Sequence, residues 1–176
     1  GPSVLGQEVN PYGLRITSES KTYLQNIGTD SNTRLAEISK YIPGIKLDIR
    51  YATADNFAKQ PVYSEARAFA RLPVIKALKA VQEELNQKGL GLKIYDAYRP
   101  YSVTLKFFEV AENKNFVASP RTGSRHNRGC AIDLTLIKLR SGKELRMPTP
   151  YDSFAPEAAA AYNGLPKKVK RNRDLL

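Results

Sequence analysis

The 176 residues, 41% of them hydrophobic, are typical of one globular domain with a sizeable core, and the short apolar runs exclude a bilayer-spanning helix, which needs about 20 apolar residues. The single cysteine, Cys130, excludes an intramolecular disulfide and a cysteine-based zinc knuckle without deciding the redox compartment. The net charge of +11 admits a nucleic-acid partner, an anionic envelope polymer or simple solubility, so the distribution of the charge has to decide among them.

The N-terminal region, residues 1–34, is expected to be an irregular leader that packs on the domain and carries no chemistry. Gly1-Pro2 is typical of the remnant of a cleaved tag, so the natural N-terminus and any export signal are expected to differ from the printed one. For this reason the sequence leaves cytoplasm and periplasm open. Residues 35–176 are expected to form the domain, with no internal repeat or second boundary.

The first elements that the sequence pattern of the domain predicts are a strand and a helix. Apolar and charged residues alternate from Ile45 to Arg50 after the turn at Pro43-Gly44, which predicts a strand with one buried face. A helix is predicted from Pro73, a residue suited to a first helical position, to a stop at Gly89. Its buried stripe is expected to comprise Val74, Leu78, Val81 and Leu85.

Tyr98-Arg99-Pro100 separates a second strand from a second helix. The strand is predicted to include Leu92 and Ile94 and to run into Asp96. The helix is expected to be capped by Ser102. Its buried side is expected to carry Leu105, Phe108 and Ala111.

A third strand is predicted from Ala131 to Leu139, because Ile132, Leu134 and Leu136 alternate with other residues. Ser141-Gly142 reads as a hairpin turn leading into Glu144 to Met147. A short helix is expected from Pro156 to Tyr162. The hairpin indicates antiparallel pairing, so the predicted fold class is α+β, a central antiparallel sheet flanked by helices in one compact domain.

The charge excess is concentrated near the C-terminus, where five of the seven residues from Lys167 to Arg173 are basic. The other basic residues are scattered among acidic ones. An aromatic-interleaved basic stripe, an RNA-binding signature and zinc-finger spacing are all missing from the sequence. The favoured interpretation is a solvated basic helix or tail, and nucleic acid is not the expected partner.

The one histidine of the chain lies in Ser124-Arg125-His126-Asn127-Arg128-Gly129-Cys130-Ala131-Ile132-Asp133. A neutral imidazole and a carboxylate are both good zinc ligands, and Gly129 allows the sharp turn that brings residues seven apart onto one ion. An isolated histidine and aspartate at this spacing are more often a surface or capping pair. The full ten-residue string favours a metal site.

This string resembles the S-x-H-x-x-G-x-A-x-D signature of the metallopeptidases that include D-Ala-D-Ala dipeptidases and carboxypeptidases, and it is similar to the zinc sites of lysostaphin-like and hedgehog domains. Three further segments, in the same order, resemble the bacterial dipeptidases associated with vancomycin resistance and D-alanine recycling. They are Leu47 to Phe57, Asp96 to Pro100 and Met147 to Asp152. The resemblance covers roughly residues 35 to 175.

The resemblance implies a role for each matching residue. His126 and Asp133 are implied to be zinc ligands. Arg99 is implied to hold the developing oxyanion or the scissile carbonyl, a role that suits a guanidinium because it is permanently charged. Ser124 is implied to contact the carboxylate region of the substrate, and Asp152 to bind its free amino group. The matching residues Asp48, Arg50, Tyr51 and Asn56 are interpreted mainly as scaffold.

A catalytic zinc normally takes three protein ligands, and its water needs a general base. In the family, both come from a C-terminal E-x-x-H motif, which these 176 residues do not contain. Two explanations are open: a chain that is incomplete at its C-terminus and lacks a strand there, which is favoured, or a natural variant that has lost its third ligand. Either way, a polypeptide of these residues alone is expected to bind zinc weakly and to hydrolyse little.

The leading hypothesis is a zinc metallopeptidase that hydrolyses D-alanyl-D-alanine or a similar D,D-dipeptide to free D-amino acids. One alternative is a non-catalytic binding protein for peptidoglycan fragments. Another is a basic nucleic-acid or envelope-binding module. The oligomeric state and the physiological role stay open.

Overall fold

The computed structural model describes residues 8–17 and 20–176, so Gly1-Pro2 lies outside the described residues. Strands β1 (Glu8–Val9) and β2 (Arg15–Ile16) pair antiparallel, and helix α1 spans Ser20–Thr29. The prediction of an irregular leader is therefore wrong for this region. The sequence pattern missed α1 because the helix depends on tertiary contact: the backbone N–H of Leu35 donates to the Tyr23 hydroxyl at 2.9 Å.

The next elements form a small sheet and the start of the main one. Strands β3 (Leu35–Glu37) and β5 (Phe69–Arg71) pair antiparallel, with helix α2 (Ile38–Tyr41) following β3. The strand expected from Ile45 to Arg50 is confirmed but short, since β4 comprises only Lys46–Leu47. Its flanking residues Ile45 and Ile49 are nevertheless buried as expected. The chain then turns into a 3-10 helix, Arg50–Ala52.

Helix α3 (Leu72–Gln87) confirms the strongest helix prediction, with a proline in its first turn and Gly89 at φ 71° after its end. Its buried face differs from the expected stripe, because Val81 is 48% exposed and Gln82 is buried. The Gln82 Oε1 atom accepts a hydrogen bond of 2.8 Å from the backbone N–H of Leu92. The helix therefore turns a polar residue inward to bind a strand, which hydrophobic periodicity does not reveal.

The main sheet has the order β4-β6-β7, with β6 at Leu90–Asp96 and β7 at Asp133–Lys138. Strand β6 pairs parallel with β4 and antiparallel with β7. The α+β prediction is confirmed, while the central sheet is mixed rather than purely antiparallel. The predicted hairpin after β7 is limited to a turn at Gly142, a bridge between Ile137 and Glu144, and a hydrogen bond from Leu145 N to Leu136 O.

Helix α4 spans Tyr101–Val110 and begins directly after Pro100, so the predicted cap at Ser102 is wrong. Its buried residues include Val103 and Phe107 instead of Leu105 and Phe108, while Ala111 is buried as expected. The buried face is therefore the one that carries Val103 and Phe107, which lie one turn apart.

Toward the C-terminus, the helix expected from Pro156 to Tyr162 is reduced to a 3-10 turn, Pro156–Ala158. The basic segment forms helix α5, Lys167–Leu175, which buries Val169 and Asn172 and exposes its lysines. In the part of the chain that the structure describes, every helix is too short or too polar to cross a bilayer.

The buried apolar residues form two clusters. The larger one joins α2, α3, the main sheet and the β3–β5 pair, with Ile38, Ile75 and Ile94 at its centre. The smaller one consists of Tyr51, Val103 and Phe107, with further apolar side chains packed around it. This second cluster lies under the residues that the sequence motifs singled out.

Candidate metal centre and adjacent cavity

A tight 3-10 turn, Arg125–Arg128, presents the histidine. Ser124 caps this turn: its hydroxyl accepts from the backbone N–H of His126 at 3.2 Å, while Asn127 Oδ1 accepts from Ser124 N at 2.7 Å. Gly129 ends the turn in the left-handed region at φ 68°. A Cβ at Gly129 would lie 2.5 Å from Leu35 Cδ2, so both backbone conformation and space require glycine here.

The imidazole of His126 is oriented by the end of β6. Its Nδ1 atom lies 2.8 Å from the backbone oxygen of Ala97, and the imidazole is largely buried, with 13% of the side chain exposed. A hydrogen bond from Nδ1–H to a carbonyl fixes the tautomer in which Nε2 is free to bind a metal. The backbone is locked as well, because Arg99 N donates to His126 O at 3.0 Å.

The second predicted ligand, Asp133, lies at the start of β7 and faces the histidine. Asp133 Oδ1 is 3.3 Å from His126 Nε2, and Asp133 Oδ2 accepts a hydrogen bond of 3.0 Å from the Tyr151 hydroxyl. Burial opposes the charged form of each group, but their mutual contact raises the pKa of His126 and lowers the pKa of Asp133. The two groups therefore attract each other strongly in the metal-free chain.

These two ligand atoms fit a shared tetrahedral zinc ion. With ligand distances of roughly 2.0–2.2 Å, two corners of a tetrahedron lie about 3.3–3.5 Å apart. The distance of 3.3 Å from Nε2 to Oδ1 agrees with that edge. The orientation of the imidazole through Ala97 is the arrangement expected around a metal-bound histidine.

A third carboxylate, that of Asp96, has an oxygen atom within 4.8 Å of the candidate ligand atoms of His126 and Asp133. Its own contacts argue against a role as ligand. Asp96 Oδ1 accepts from the Tyr63 hydroxyl at 2.7 Å and from Ala97 N at 3.0 Å, and Oδ2 accepts from the Arg99 guanidinium. In addition, the histidine nitrogen that Asp96 Oδ2 approaches, at 3.9 Å, is Nδ1. This nitrogen is already hydrogen-bonded to the backbone oxygen of Ala97.

Arg99 is held as a rigid cation beside the metal site. Its Nε and Nη2 atoms donate to Asp96 Oδ2 at 3.1 and 2.7 Å, and its Cζ atom lies 4.8 Å from the centroid of Phe107. Burial lowers the pKa of Arg99, but the Asp96 carboxylate outweighs it and raises that pKa above its ordinary value. The guanidinium therefore stays charged in a poorly hydrated setting, where its field is strong.

A cavity of about 180 Å³ joins the remaining predicted site residues, since Arg99, Ser124 and Asp152 all line it. Asp152 has a left-handed backbone, φ 63°, and its Oδ2 accepts a hydrogen bond of 2.5 Å from the Tyr51 hydroxyl. Burial raises the pKa of Asp152 above its ordinary value. A partly desolvated carboxylate in a small cavity is suited to bind a cationic group.

Four residues hold these groups in place: Tyr51, Tyr63, Asp96 and Tyr151. Tyr51, interpreted from the sequence as scaffold, supports the Asp152 carboxylate. The other three received no role from the sequence, although Asp96 had one usable signal, an acidic residue at the end of a strand three positions before Arg99. Tyr63 and Tyr151 had no local signal, because each reaches its partner across a large sequence separation. Asn56, by contrast, is scaffold as expected, since its amide bonds the backbone oxygens of Arg50, Thr53 and Gln60.

Comparison with known proteins places the chain among bacterial dipeptidases. A family model described as D-ala-D-ala dipeptidase matches residues 31–176. The D-alanyl-D-alanine dipeptidase of Escherichia coli (strain K12) is 33% identical over 144 residues, which cover 82% of this chain and 74% of that protein. The D-alanyl-D-alanine dipeptidase of Enterococcus faecium is 30% identical over 159 residues, covering 77% of each chain. That of Streptomyces coelicolor (strain ATCC BAA-471 / A3(2) / M145) is 29% identical over 158 residues and 78% of each chain.

Proposed function

We propose that this chain, which belongs to the D-Ala-D-Ala dipeptidase family of metallopeptidases, binds zinc through His126 and Asp133 and hydrolyses D-alanyl-D-alanine or a similar D,D-dipeptide. The observation that carries the proposal is the 3.3 Å approach of His126 Nε2 to Asp133 Oδ1 beside the charged Arg99. An imidazole and a carboxylate favour zinc over calcium or magnesium, which prefer sites made of oxygen alone.

A bound zinc ion would supply Lewis acidity, which lowers the pKa of water and polarises a carbonyl group. The residues of this chain do the rest. Ala97 O and Tyr151 hold the two ligand side chains, so that little reorganisation is needed when the metal binds. Tyr151 is itself fixed by stacking on Tyr95, with the ring centroids 4.3 Å apart.

Arg99 stabilises the negative charge that develops on the carbonyl oxygen during hydrolysis. Asp96 and the Phe107 ring fix the guanidinium before the substrate arrives, so the favourable field costs no rearrangement during the reaction. Asp96 thus acts through Arg99 and is a positioning residue.

Asp152 binds the free amino group of the dipeptide, and Ser124 contacts its carboxylate region. Asp152 is a natural partner for an ammonium ion, and Tyr51 orients its carboxylate. A carboxylate in the lining of so small a cavity would select for substrates with a free amino group one residue from the scissile bond. This feature favours a dipeptidase over the related carboxypeptidases, which must leave room for a longer acyl chain.

A third ligand and a general base complete such a site, and the family resemblance assigns both to an E-x-x-H motif. The 176 residues contain one histidine, and the neighbouring Asp96 is committed to Arg99. We therefore expect a polypeptide of these residues alone to bind zinc weakly and to release D-alanine slowly. Full turnover by this polypeptide would contradict the assignment.

The decisive experiment measures D-alanine release from D-Ala-D-Ala by the natural full-length protein, with zinc and after chelation. We expect release that requires zinc, is lost in His126→Ala and persists in Tyr41→Ala, an exposed aromatic residue on α2. A dipeptide should be cleaved in strong preference to a pentapeptide stem. Absence of release from the zinc-loaded full-length protein would overturn the proposal.

A second candidate is a non-catalytic protein that binds peptidoglycan fragments. The observation in its favour is that Arg99, Ser124 and Asp152 share a cavity, while Asp96, the third acidic residue near His126 and Asp133, is hydrogen-bonded to Arg99. Tight binding of D-Ala-D-Ala by the natural protein without release of D-alanine would support this candidate against the first.

A further inference from the structure

Three phenylalanines that are distant from one another in sequence line the cavity: Phe57, Phe116 and Phe154. The rings of Phe116 and Phe154 stack, with centroids 4.7 Å apart and planes inclined by 13°. Phe57 meets Phe154 edge to face at a centroid distance of 6.1 Å. These three residues are called the aromatic cluster below.

Core packing explains Phe57 but not the other two members of the aromatic cluster. Phe57 packs against the buried cluster of Tyr51 and Phe107. Phe116 and Phe154 lie outside that cluster and are 52% and 44% exposed. Large apolar side chains that stay exposed at the edge of a polar cavity are typical of a surface that contacts a ligand.

The aromatic cluster adjoins the group proposed to bind the substrate's ammonium. Asp152 precedes Phe154 by two residues, and both line the same cavity. In a dipeptide, the side chain of the first residue branches from the carbon atom that carries the ammonium. An ammonium bound to Asp152 therefore leaves that side chain in the same cavity, where the exposed rings of Phe116 and Phe154 offer apolar surface.

The cavity is also lined by polar side chains, those of Arg99, Ser124 and Thr104. These residues suit the carbonyl and carboxylate groups of a substrate and offer little to an apolar side chain. The small volume, about 180 Å³, restricts what can be enclosed, but the exposed faces of Phe116 and Phe154 let a longer side chain extend along them toward solvent.

We propose that the aromatic cluster is the subsite for the side chain of the first residue of the substrate. It gives this protein a preference for D,D-dipeptides whose first residue is larger and apolar, such as leucine, over D-Ala-D-Ala itself. The inference rests on the proposed function, because it takes Asp152 as the ammonium site. It goes further by assigning the substrate class.

The test compares the dissociation constants of three dipeptides by calorimetry for the natural full-length protein after chelation, which is expected not to hydrolyse them, and their kcat/KM values with zinc. D-Leu-D-Ala should bind about tenfold more tightly than D-Ala-D-Ala, the lower end of what apolar pockets achieve for added methylene groups. D-Ala-D-Leu should gain less, because its added carbons lie on the second residue, away from the aromatic cluster. The kcat/KM values should follow the same order.

Two variants locate the preference. Phe154→Ala and Phe116→Ala should each remove most of the advantage of D-Leu-D-Ala, measured as the ratio of the dissociation constants of D-Ala-D-Ala and D-Leu-D-Ala in the same variant. Tyr41→Ala is the matched control, because Tyr41 is an aromatic residue with 43% exposure that does not line the cavity. Thermal unfolding confirms that each variant is folded.

The outcomes separate the two levels of the proposal. If D-Ala-D-Ala is bound and hydrolysed while D-Leu-D-Ala shows no advantage, the subsite assignment is overturned and the proposed function stands. If the advantage persists in both phenylalanine variants, the subsite lies elsewhere and the assignment is likewise overturned. If none of the dipeptides binds or releases D-alanine, both proposals fail together.

Discussion

Asp96 and Asp133 are register partners at the end of the β6–β7 ladder, yet their carboxylates bind different groups. The register shifts between Ile94 and Asp96, so β6 carries one extra residue at the point where the site begins. Asp133 faces His126, whereas Asp96 is turned into the protein, 1% exposed, toward Arg99 and Tyr63. A bulge that re-aims side chains beside a functional site is a recurrent use of this irregularity.

The pairing of Asp96 with Arg99 leads to a prediction about stability. Asp96→Asn should lower the free energy of unfolding by about 3 kcal/mol, because it leaves a buried guanidinium without its countercharge. The double variant Asp96→Asn with Arg99→Met should recover much of this loss. Urea denaturation of both variants checks the prediction, and an additive loss in the double variant would show that the two residues are not coupled.

The same guanidinium should matter for turnover through its geometry as well as its charge. We expect Arg99→Lys to lower kcat about 100-fold, because a lysine keeps the charge but cannot reproduce the two fixed bonds to Asp96 and the directed donors. Zinc affinity should change less than twofold. The control is Arg67→Lys, which changes an arginine that forms exposed ion pairs with Glu37 and Glu65. This variant should leave kcat unchanged. Equal losses in both variants would remove Arg99 from the mechanism.

Recognition of the ammonium group can be tested with a substrate that lacks it. The natural protein should cleave D-Ala-D-Ala at least about tenfold more efficiently than its N-acetyl derivative, since a charge-assisted hydrogen bond contributes roughly 1.5–3 kcal/mol. Asp152→Asn should abolish this preference, mainly through KM. Asp55→Asn, which changes a carboxylate that is 83% exposed, should retain it. A preference that survives in Asp152→Asn would place the ammonium elsewhere.

Substitution of two glycines with nearly the same φ angle, Gly142 and Gly129, distinguishes the energetic cost of backbone strain from that of steric crowding. Gly142 has φ 69° and open space around it, so Gly142→Ala should lower the free energy of unfolding by about 1 kcal/mol. Gly129 has φ 68°, and its added methyl would meet Leu35 at 2.5 Å, so Gly129→Ala should cost roughly 1–3 kcal/mol more. Chemical denaturation measures both. Equal losses would mean that Leu35 moves aside without cost.

Local patterns predicted the elements whose signals are local. Helix α3, strand β6 and strand β7 follow from hydrophobic periodicity and flanking turn residues, and the ten-residue string singled out His126 and Asp133, which the structure brings to 3.3 Å. The buried face of α3 was misjudged because Gln82 binds β6, and that of α4 because Phe107 packs on Tyr51 and Phe57. These partners are distant in sequence, and periodicity does not encode them.

The contacts that support the site were not predictable for the same reason. Tyr51 was interpreted as scaffold, but it reaches Asp152 across 101 positions, and Tyr63 reaches Asp96 across 33. Both tyrosines belong to one segment, which is closed by hydrogen bonds from Val62 N and Tyr63 N to Tyr51 O. Nothing in the spacing of these residues indicates which two carboxylates the segment holds.

The single histidine offers the most direct test of the central claim, that His126 Nε2 binds a zinc ion together with Asp133. In a polypeptide of these 176 residues labelled with 15N-histidine, one Nδ1 and one Nε2 resonance are expected, and zinc can be titrated while both are observed. Zinc should shift the Nε2 resonance while Nδ1 stays protonated on Ala97 O, and Asp133→Ala should weaken the response about tenfold or more. An unchanged Nε2 resonance at saturating zinc, or binding through Nδ1, would contradict it.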